Sequence, residues 1–402
     1  MNKKDSYSND GWIPREYHFR KVRALLEEYR LVALLGARQV GKTALARQIA
    51  GAKKEGATWF DLEDFEDRAR LEDPVLALRD LRGLVVLDDI QRLPDVFSLL
   101  RDLAYRPGPP TRFLVLGSAS PELLRQTSEP LPRRLAFHQL GGFGLDEVDD
   151  PERLWLRGGL PRSYLAASDE DAARWRRDFI HTFLWEFVPD FGTGIPKPTL
   201  RRFWTRVAHW HGQIWDDAEF ARALGVTQTA INRYLDVFSS LFMVHQLQPW
   251  FEAINTKQVR SPKVYVADSG LLHALLGLWS RERILSHPRA GASWEGFVIG
   301  RIMHLMRASQ EQCFHWATYG GASLDLLVTD GSRRYGFYVK RTETPRLTRP
   351  MKSVMRTLKL HSLDIIHVGA KCYTLAAGVR AIPASELKSL LPTRVHHKEC
   401  EA

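Results

Sequence analysis

Residues Gly36-Ala37-Arg38-Gln39-Val40-Gly41-Lys42-Thr43 have the composition of a phosphate cradle. Glycines at both ends let the backbone wrap closely enough for successive main-chain amides to point at one anion. The pattern assigns Gly36, Ala37, Arg38, Gln39, Val40, Gly41, Lys42, Thr43 and Ala44 to a nucleotide, with Lys42 reaching the β- and γ-phosphates and the Thr43 hydroxyl on Mg²⁺. Such a site also needs a carboxylate on the metal and a group that orients the attacking water. Asp88 fits the first role and Asp89 the second, where a glutamate would reach farther toward the water. Asp89 is one methylene shorter, which implies slow hydrolysis, since small errors in catalytic placement are expensive. The plainer alternative for Asp89 is a solvated turn residue.

These residues must be positioned by a sheet. Leu31–Leu35 is an apolar run of strand length before the cradle, and a helical stretch from Ala44 to Ala50 follows it. Leu84–Leu87 is a second run and ends in Asp88-Asp89, as a neighbouring parallel strand would to deliver a carboxylate beside the metal. A third, Phe113–Leu116, ends in Gly117-Ser118, which makes Ser118 a candidate sensor of the γ-phosphate or its water. Downstream, Arg134 could supply positive charge across a subunit boundary, which requires a homo-oligomer, or it could be ordinary surface charge. The one Asn-Lys-like stretch, Asn255-Thr256-Lys257-Gln258, lacks the aspartate of a guanine-reading pattern, so the expected cofactors are ATP and Mg²⁺.

The 402-residue chain is 44% hydrophobic and 26% charged, enough for two or three domains with proper cores. Its apolar runs fall far short of the roughly 20 residues that span a bilayer, and Met1–Asn9 lacks a signal-peptide core. The sequence therefore predicts a cytoplasmic protein with no membrane partner. Cys313, Cys372 and Cys400 are too scattered for a disulfide framework or a paired-cysteine zinc site. A net charge of +10 suits a polyanionic partner such as DNA.

The cradle, Leu87-Asp88-Asp89-Ile90-Gln91-Arg92-Leu93-Pro94, Gly117-Ser118, Gly158-Gly159-Leu160-Pro161, the stretch from Ser261 to Leu271 and Trp294-Glu295-Gly296-Phe297 follow one another in a familiar order. From about residue 15 to about residue 390 the chain resembles the AAA-type prokaryotic P-loop ATPases that carry a C-terminal domain of unknown function related to restriction-endonuclease folds. The resemblance implies an α/β protein: a P-loop parallel sheet, then a helical lid and winged helix, then an α/β restriction-endonuclease-like domain. The expected boundaries are 15–150, 151–256 and 257–392.

In the middle, Asp216–Arg222, a turn at Gly225 and Thr227–Phe238 read as a helix-turn-helix, and Leu241–Leu247 as a wing strand. Gln228, Thr229, Asn232 and Arg233 on the second helix are candidate DNA contacts, while winged helices also serve as packing modules. The aromatic-rich Glu170–Phe191 reads as a helical lid on the ATPase core, and His209-Trp210-His211 as a helix-surface pair. Near the C-terminus, Ser323–Val328 and Tyr335–Lys340 read as adjacent strands. Active members of the resembled nuclease fold place an Asp and a Glu-x-Lys here; Asp325 and Lys340 match, but the glutamate position holds Tyr338, a poor ligand for a hard cation. Glu295, Asp325 and Lys340 thus read as a vestigial nuclease site. Nine basic residues between Arg333 and Lys359, against Glu343 alone, could hold a phosphate backbone without cutting it, or form a solvated face.

The sequence favours a nucleotide-dependent switch or motor, with an ATP-licensed nuclease as the alternative and a protein that needs ATP only to fold as a third reading.

Overall fold

The computed structural model describes residues 13–391, apart from 53–55, 94, 120–134, 192 and 253–256. The chain divides into two compact units, one formed by residues up to Gly142 with Ser240–Met243, the other by the remainder.

The first unit is built on five strands: β1 (Leu31–Leu35), β2 (Ala57–Asp61), β3 (Gly83–Asp88), β4 (Thr111–Gly117) and β5 (Leu135–Gln139). All pairings are parallel, in the order β2-β3-β4-β1-β5. β1 is buried at every position, which is why it reads as a continuous apolar run instead of an alternating one. Helix Lys42–Gly51 covers the sheet with Leu45, Ala46 and Ile49, and Val96–Ala104 does so with Val96, Phe97, Leu100 and Leu103. Both sets follow the helical repeat. The expectation that β3 is the neighbour of β1 is corrected here: β4 lies between them. Sequence runs reveal strands but not their lateral order, and the carboxylate still reaches the cradle because all three strands end at the same edge.

The second unit carries a nine-stranded mixed sheet, from β6 (Gln213–Ile214), β7 (Val244–Pro249), β8 (Lys263–Val266), β9 (Cys313–Ala317), β10 (Ser323–Asp330), β11 (Arg333–Lys340), β12 (Ser362–His367), β13 (Tyr373–Ala376) and β14 (Val379–Pro383). Its order is β13-β14-β12-β11-β10-β9-β7-β8-β6. β7 pairs with β9 in parallel through Gln248 opposite Phe314, so one sheet runs across the boundary expected at 256/257. Helices Asp217–Leu224 and Gln228–Ser240 flank a left-handed Gly225 before β7. The first is capped by the Asp216 carboxylate, which accepts from Glu219 N.

Helix Asp169–Thr182 and the turns after it pack their aromatic face within the second unit. Phe183 lies against Trp204 of helix Lys197–His209 and against Phe238, at ring separations of 5.3 and 6.1 Å. Its aromatic face is thus satisfied inside the second unit. His211 is likewise no surface residue: it is buried, and its Nδ1 accepts from Val266 N at 3.0 Å. His209 is exposed.

Two of the stretches that carry the family resemblance lock together here. The Asp268 carboxylate accepts from Gly159 N at 2.7 Å and from Leu271 N at 2.9 Å. Gly158, at φ 82°, packs so closely that a Cβ would overlap that carboxylate. Gly158→Ala is therefore expected to cost at least about 2 kcal/mol through combined overlap and left-handed strain. Urea denaturation read by tryptophan fluorescence checks this; an unchanged midpoint would remove the interlock.

Candidate nucleotide site

The carboxyl ends of β1, β3 and β4 gather the chemistry. Gly41, at φ 102°, turns the chain from the loop into helix Lys42–Gly51, aiming that helix's first N–H groups along the cradle. Gln39 is also left-handed, at φ 60°, a conformation that non-glycine residues adopt only where the surroundings enforce it. Gly36 donates to Gly117 O at 3.1 Å, and a Cβ on it would overlap the Leu140 carbonyl.

Lys42 is buried, with Nζ donating to Gly36 O, Ala37 O and Ser118 Oγ, each at 2.9 Å. Burial pushes its pKa down to about 8, against the charges of Asp89 and Asp88. Thr43 Oγ1 donates to Asp88 Oδ2 at 2.8 Å, joining the cradle to β3 across the width of β4. Burial pushes the Asp88 carboxyl up to about 6, a shift that the Thr43 hydrogen bond only partly opposes. An opposing cation at this carboxylate would relieve that penalty. A buried lysine, a helix N-terminus, a hydroxyl and a desolvated carboxylate are the donor set that Mg²⁺ and a nucleoside triphosphate require.

Asp89 sits in a left-handed conformation, φ 57° and ψ 47°, at the end of β3. Its Oδ1 accepts from Gln91 Nε2 at 2.8 Å, and Gln91 Oε1 accepts from Ser118 N at 3.2 Å. Gln91 therefore connects Asp89 to the end of β4, where the Ser118 hydroxyl meets Lys42. Gln91 lies within Leu87–Pro94, where its residue type alone does not mark it as part of the site. The available signal was its place one short turn beyond Asp89. Arg38 is held by Glu63 at 3.1 Å, and the Val40 carbonyl accepts from Arg15 Nη1 at 3.4 Å. Arg134 lies outside the described residues.

The remaining candidates lie in the second unit. Gln228, Thr229 and Arg233 are exposed, Arg233 also donating to Thr193 O at 2.9 Å. Asn232 is occupied internally, accepting from Trp215 Nε1 at 3.0 Å and donating to Asp217 Oδ2 at 2.9 Å. It is a packing residue, which corrects its expected place among base-reading side chains. Arg333, Lys340, Arg341, Arg346, Arg349, Lys352, Arg356 and Lys359 are exposed, whereas Arg334 pairs with Glu252 at 2.6 Å over the Trp250 ring. Glu295, Asp325 and Lys340 do come together, around Lys263.

Comparison with known proteins agrees on the first unit. A family model described as an AAA domain matches residues 28–148, which places the chain among proteins with an AAA-type P-loop ATPase domain. Domains of unknown function match 148–282 and 290–387. Uncharacterized proteins of Mycobacterium tuberculosis and Mycobacterium bovis are each 44% identical over 377 residues, 93% of this chain and 85% of theirs. The chain belongs to the same family as these mycobacterial proteins. Among solved structures, a Walker-type ATPase of Pyrococcus abyssi is similar at 15% identity and a TM-score of 0.48, over 66% of this chain and 96% of that one. Among the described residues, no helix is long and apolar enough to cross a membrane.

Proposed function

We propose that the chain binds Mg·ATP at the cradle, hydrolyses it slowly, and uses the nucleotide state as a switch for its second unit. The observation that carries this reading is the convergence of Lys42, Thr43, Asp88 and Ser118 at one sheet edge, with Thr43 and Asp88 2.8 Å apart. Lys42 and the helix N-terminus would hold the phosphates, and Thr43 and Asp88 the metal, whose charge draws electron density from the transferring phosphoryl oxygens. Asp89 would orient the attacking water, and Gln91 would fix the direction of the Asp89 carboxylate. Gln91→Ala is expected to lower kcat about tenfold with KM for ATP unchanged, because it disturbs placement and not binding. Steady-state phosphate release tests this; a change confined to KM would count against the positioning role.

The second unit reads as a winged helix continued into a restriction-endonuclease-like sheet without nuclease activity. The helix pair preceding β7 supports the first part, and the antiparallel β10–β11 pair carrying Asp325 and Lys340 supports the second. DNA is the proposed partner, on the strength of exposed Gln228, Thr229 and Arg233 and the basic residues from Arg333 to Lys359. A homo-oligomer supplying Arg134 in trans and a cytoplasmic location belong to the same reading. An ATPase assay with and without duplex DNA, repeated across protein concentration, tests these parts together: specific activity should rise with both. A rate indifferent to DNA and to concentration would leave only the nucleotide site.

A further inference from the structure

Three elements distant in sequence meet around one ammonium group in the second unit. Lys263 opens β8, Glu295 lies on helix Ala290–Leu305, and Asp325 lies on β10. Lys263 Nζ donates to Glu295 Oε1 at 3.0 Å and lies 3.9 Å from Asp325 Oδ1. The same Glu295 oxygen accepts from the Tyr265 hydroxyl at 2.8 Å, and Asp325 Oδ2 accepts from Val339 N at 3.0 Å. The side chains are withdrawn from solvent, Lys263 at 13% exposure, Glu295 at 21% and Asp325 at 10%.

The endonuclease-like reading would put a divalent cation between these carboxylates. The residues do not fit one. A hard cation needs oxygen lone pairs at about 2.0–2.1 Å for Mg²⁺; here Glu295 Oε1 already accepts from an ammonium and a phenol, Asp325 Oδ2 accepts from a main-chain amide, and the ammonium stands 3.9 Å from Asp325 Oδ1, in the space a shared cation would take. The position where a glutamate would approach holds Tyr338, whose hydroxyl donates to Ser323 O at 2.5 Å. We propose that the Lys263 ammonium is the built-in counter-ion of the Glu295–Asp325 pair, so that this pair takes no divalent cation and the sheet around it works as a metal-independent module.

The role of such a lysine is physically distinct from that of a metal-site bystander. It sets one fixed positive charge between two desolvated carboxylates, with Lys340 Nζ 3.9 Å from Asp325 Oδ2 on the outer side, and removing it leaves the carboxylates facing each other's charge. The inference therefore makes a directional claim about Lys263 that a plain surface ion pair would not.

The test uses the full-length, nucleotide-free chain carrying Asp88→Asn, which silences the cradle's metal carboxylate, titrated with Mn²⁺ and followed by the electron paramagnetic resonance signal of free Mn²⁺. The Asp88→Asn parent should show the same weak uptake with and without Asp325→Asn. Lys263→Met in that background should gain one site per chain, at least about tenfold tighter than the parent's uptake, and lose it when Asp325→Asn is added. Its melting temperature should be lowered and be raised again by Mn²⁺. A parent site that Asp325→Asn abolishes would overturn the proposal, as would a folded Lys263→Met chain that gains no site. If Lys263→Met does not fold, the comparison of the parent with and without Asp325→Asn still decides.

Discussion

Lys42→Met is expected to lose at least about 100-fold in affinity for Mg·ATP while melting within a few degrees of the wild type. Two charge-assisted bonds to the β- and γ-phosphates at about 1.5–3 kcal/mol each account for the loss. The stability half of the statement follows from the environment of the lysine. Burial pushes its pKa from 10.5 to about 8, so holding the charge costs the fold about 3 kcal/mol. Its bonds to Gly36 O, Ala37 O and Ser118 Oγ return a similar amount, at about 1 kcal/mol apiece. The methionine removes both sides of that balance. Equilibrium binding of a fluorescent ATP analogue, with a thermal melt on the same samples, checks both halves. Retained affinity would mean that the lysine is not the phosphate ligand, and a collapsed melt would mean that it is chiefly structural.

Between pH 7 and pH 5 the second unit is expected to lose about 6 kcal/mol of stability through His211, His273 and His315, held neutral by burial, with His245, which burial also pushes down to about 4, and His367 adding in the same direction. His211 accepts a main-chain N–H at Nδ1 and burial pushes its pKa down to about 3. His273 bridges Leu156 O and Ser293 Oγ, and His315 bonds Ser261 O; burial pushes each down to about 4. Unfolded, each titrates near 6.5. Below that value the unfolded chain binds protons that the folded chain refuses, so stability falls as pH falls and is fully present only above about 6.5. At pH 5 each histidine contributes about 2 kcal/mol to the loss. Asp268 works in the opposite sense, because burial raises its folded pKa and lets the native state take a proton first. Urea midpoints at the two pH values test the sign, and His211→Gln should flatten the dependence by about one proton. A midpoint that holds or rises on acidification would contradict the neutral, buried assignment.

How much of this was legible depends on how local each cause is. β1, β3 and β4 could be read directly because strands buried on both faces must be apolar throughout, and each ends in the glycine, aspartate or serine that the site uses. Lys42, Thr43 and Asp88 followed from their positions at those ends. The insertion of β4 between β1 and β3 could not be read, since nothing in either run records its neighbour. Gln91 escaped because its contacts arise from the left-handed turn at Asp89. His211 was misjudged for a related reason: the residues that bury it come from β8, more than fifty positions away, and its polar neighbours suggested a surface. Asn232 presented the right chemistry for a base edge, but Trp215 and Asp217 had already claimed its amide. Lys263 sat unnoticed in a motif, 32 residues from one carboxylate partner and still farther from the other.

Titrating the full-length chain with Mg·ATP in a calorimeter tests the central claim most directly. One site per chain is expected, with a dissociation constant of about 10 µM or tighter that weakens when magnesium is chelated. No heat of binding, together with a melting temperature indifferent to nucleotide, would contradict the account.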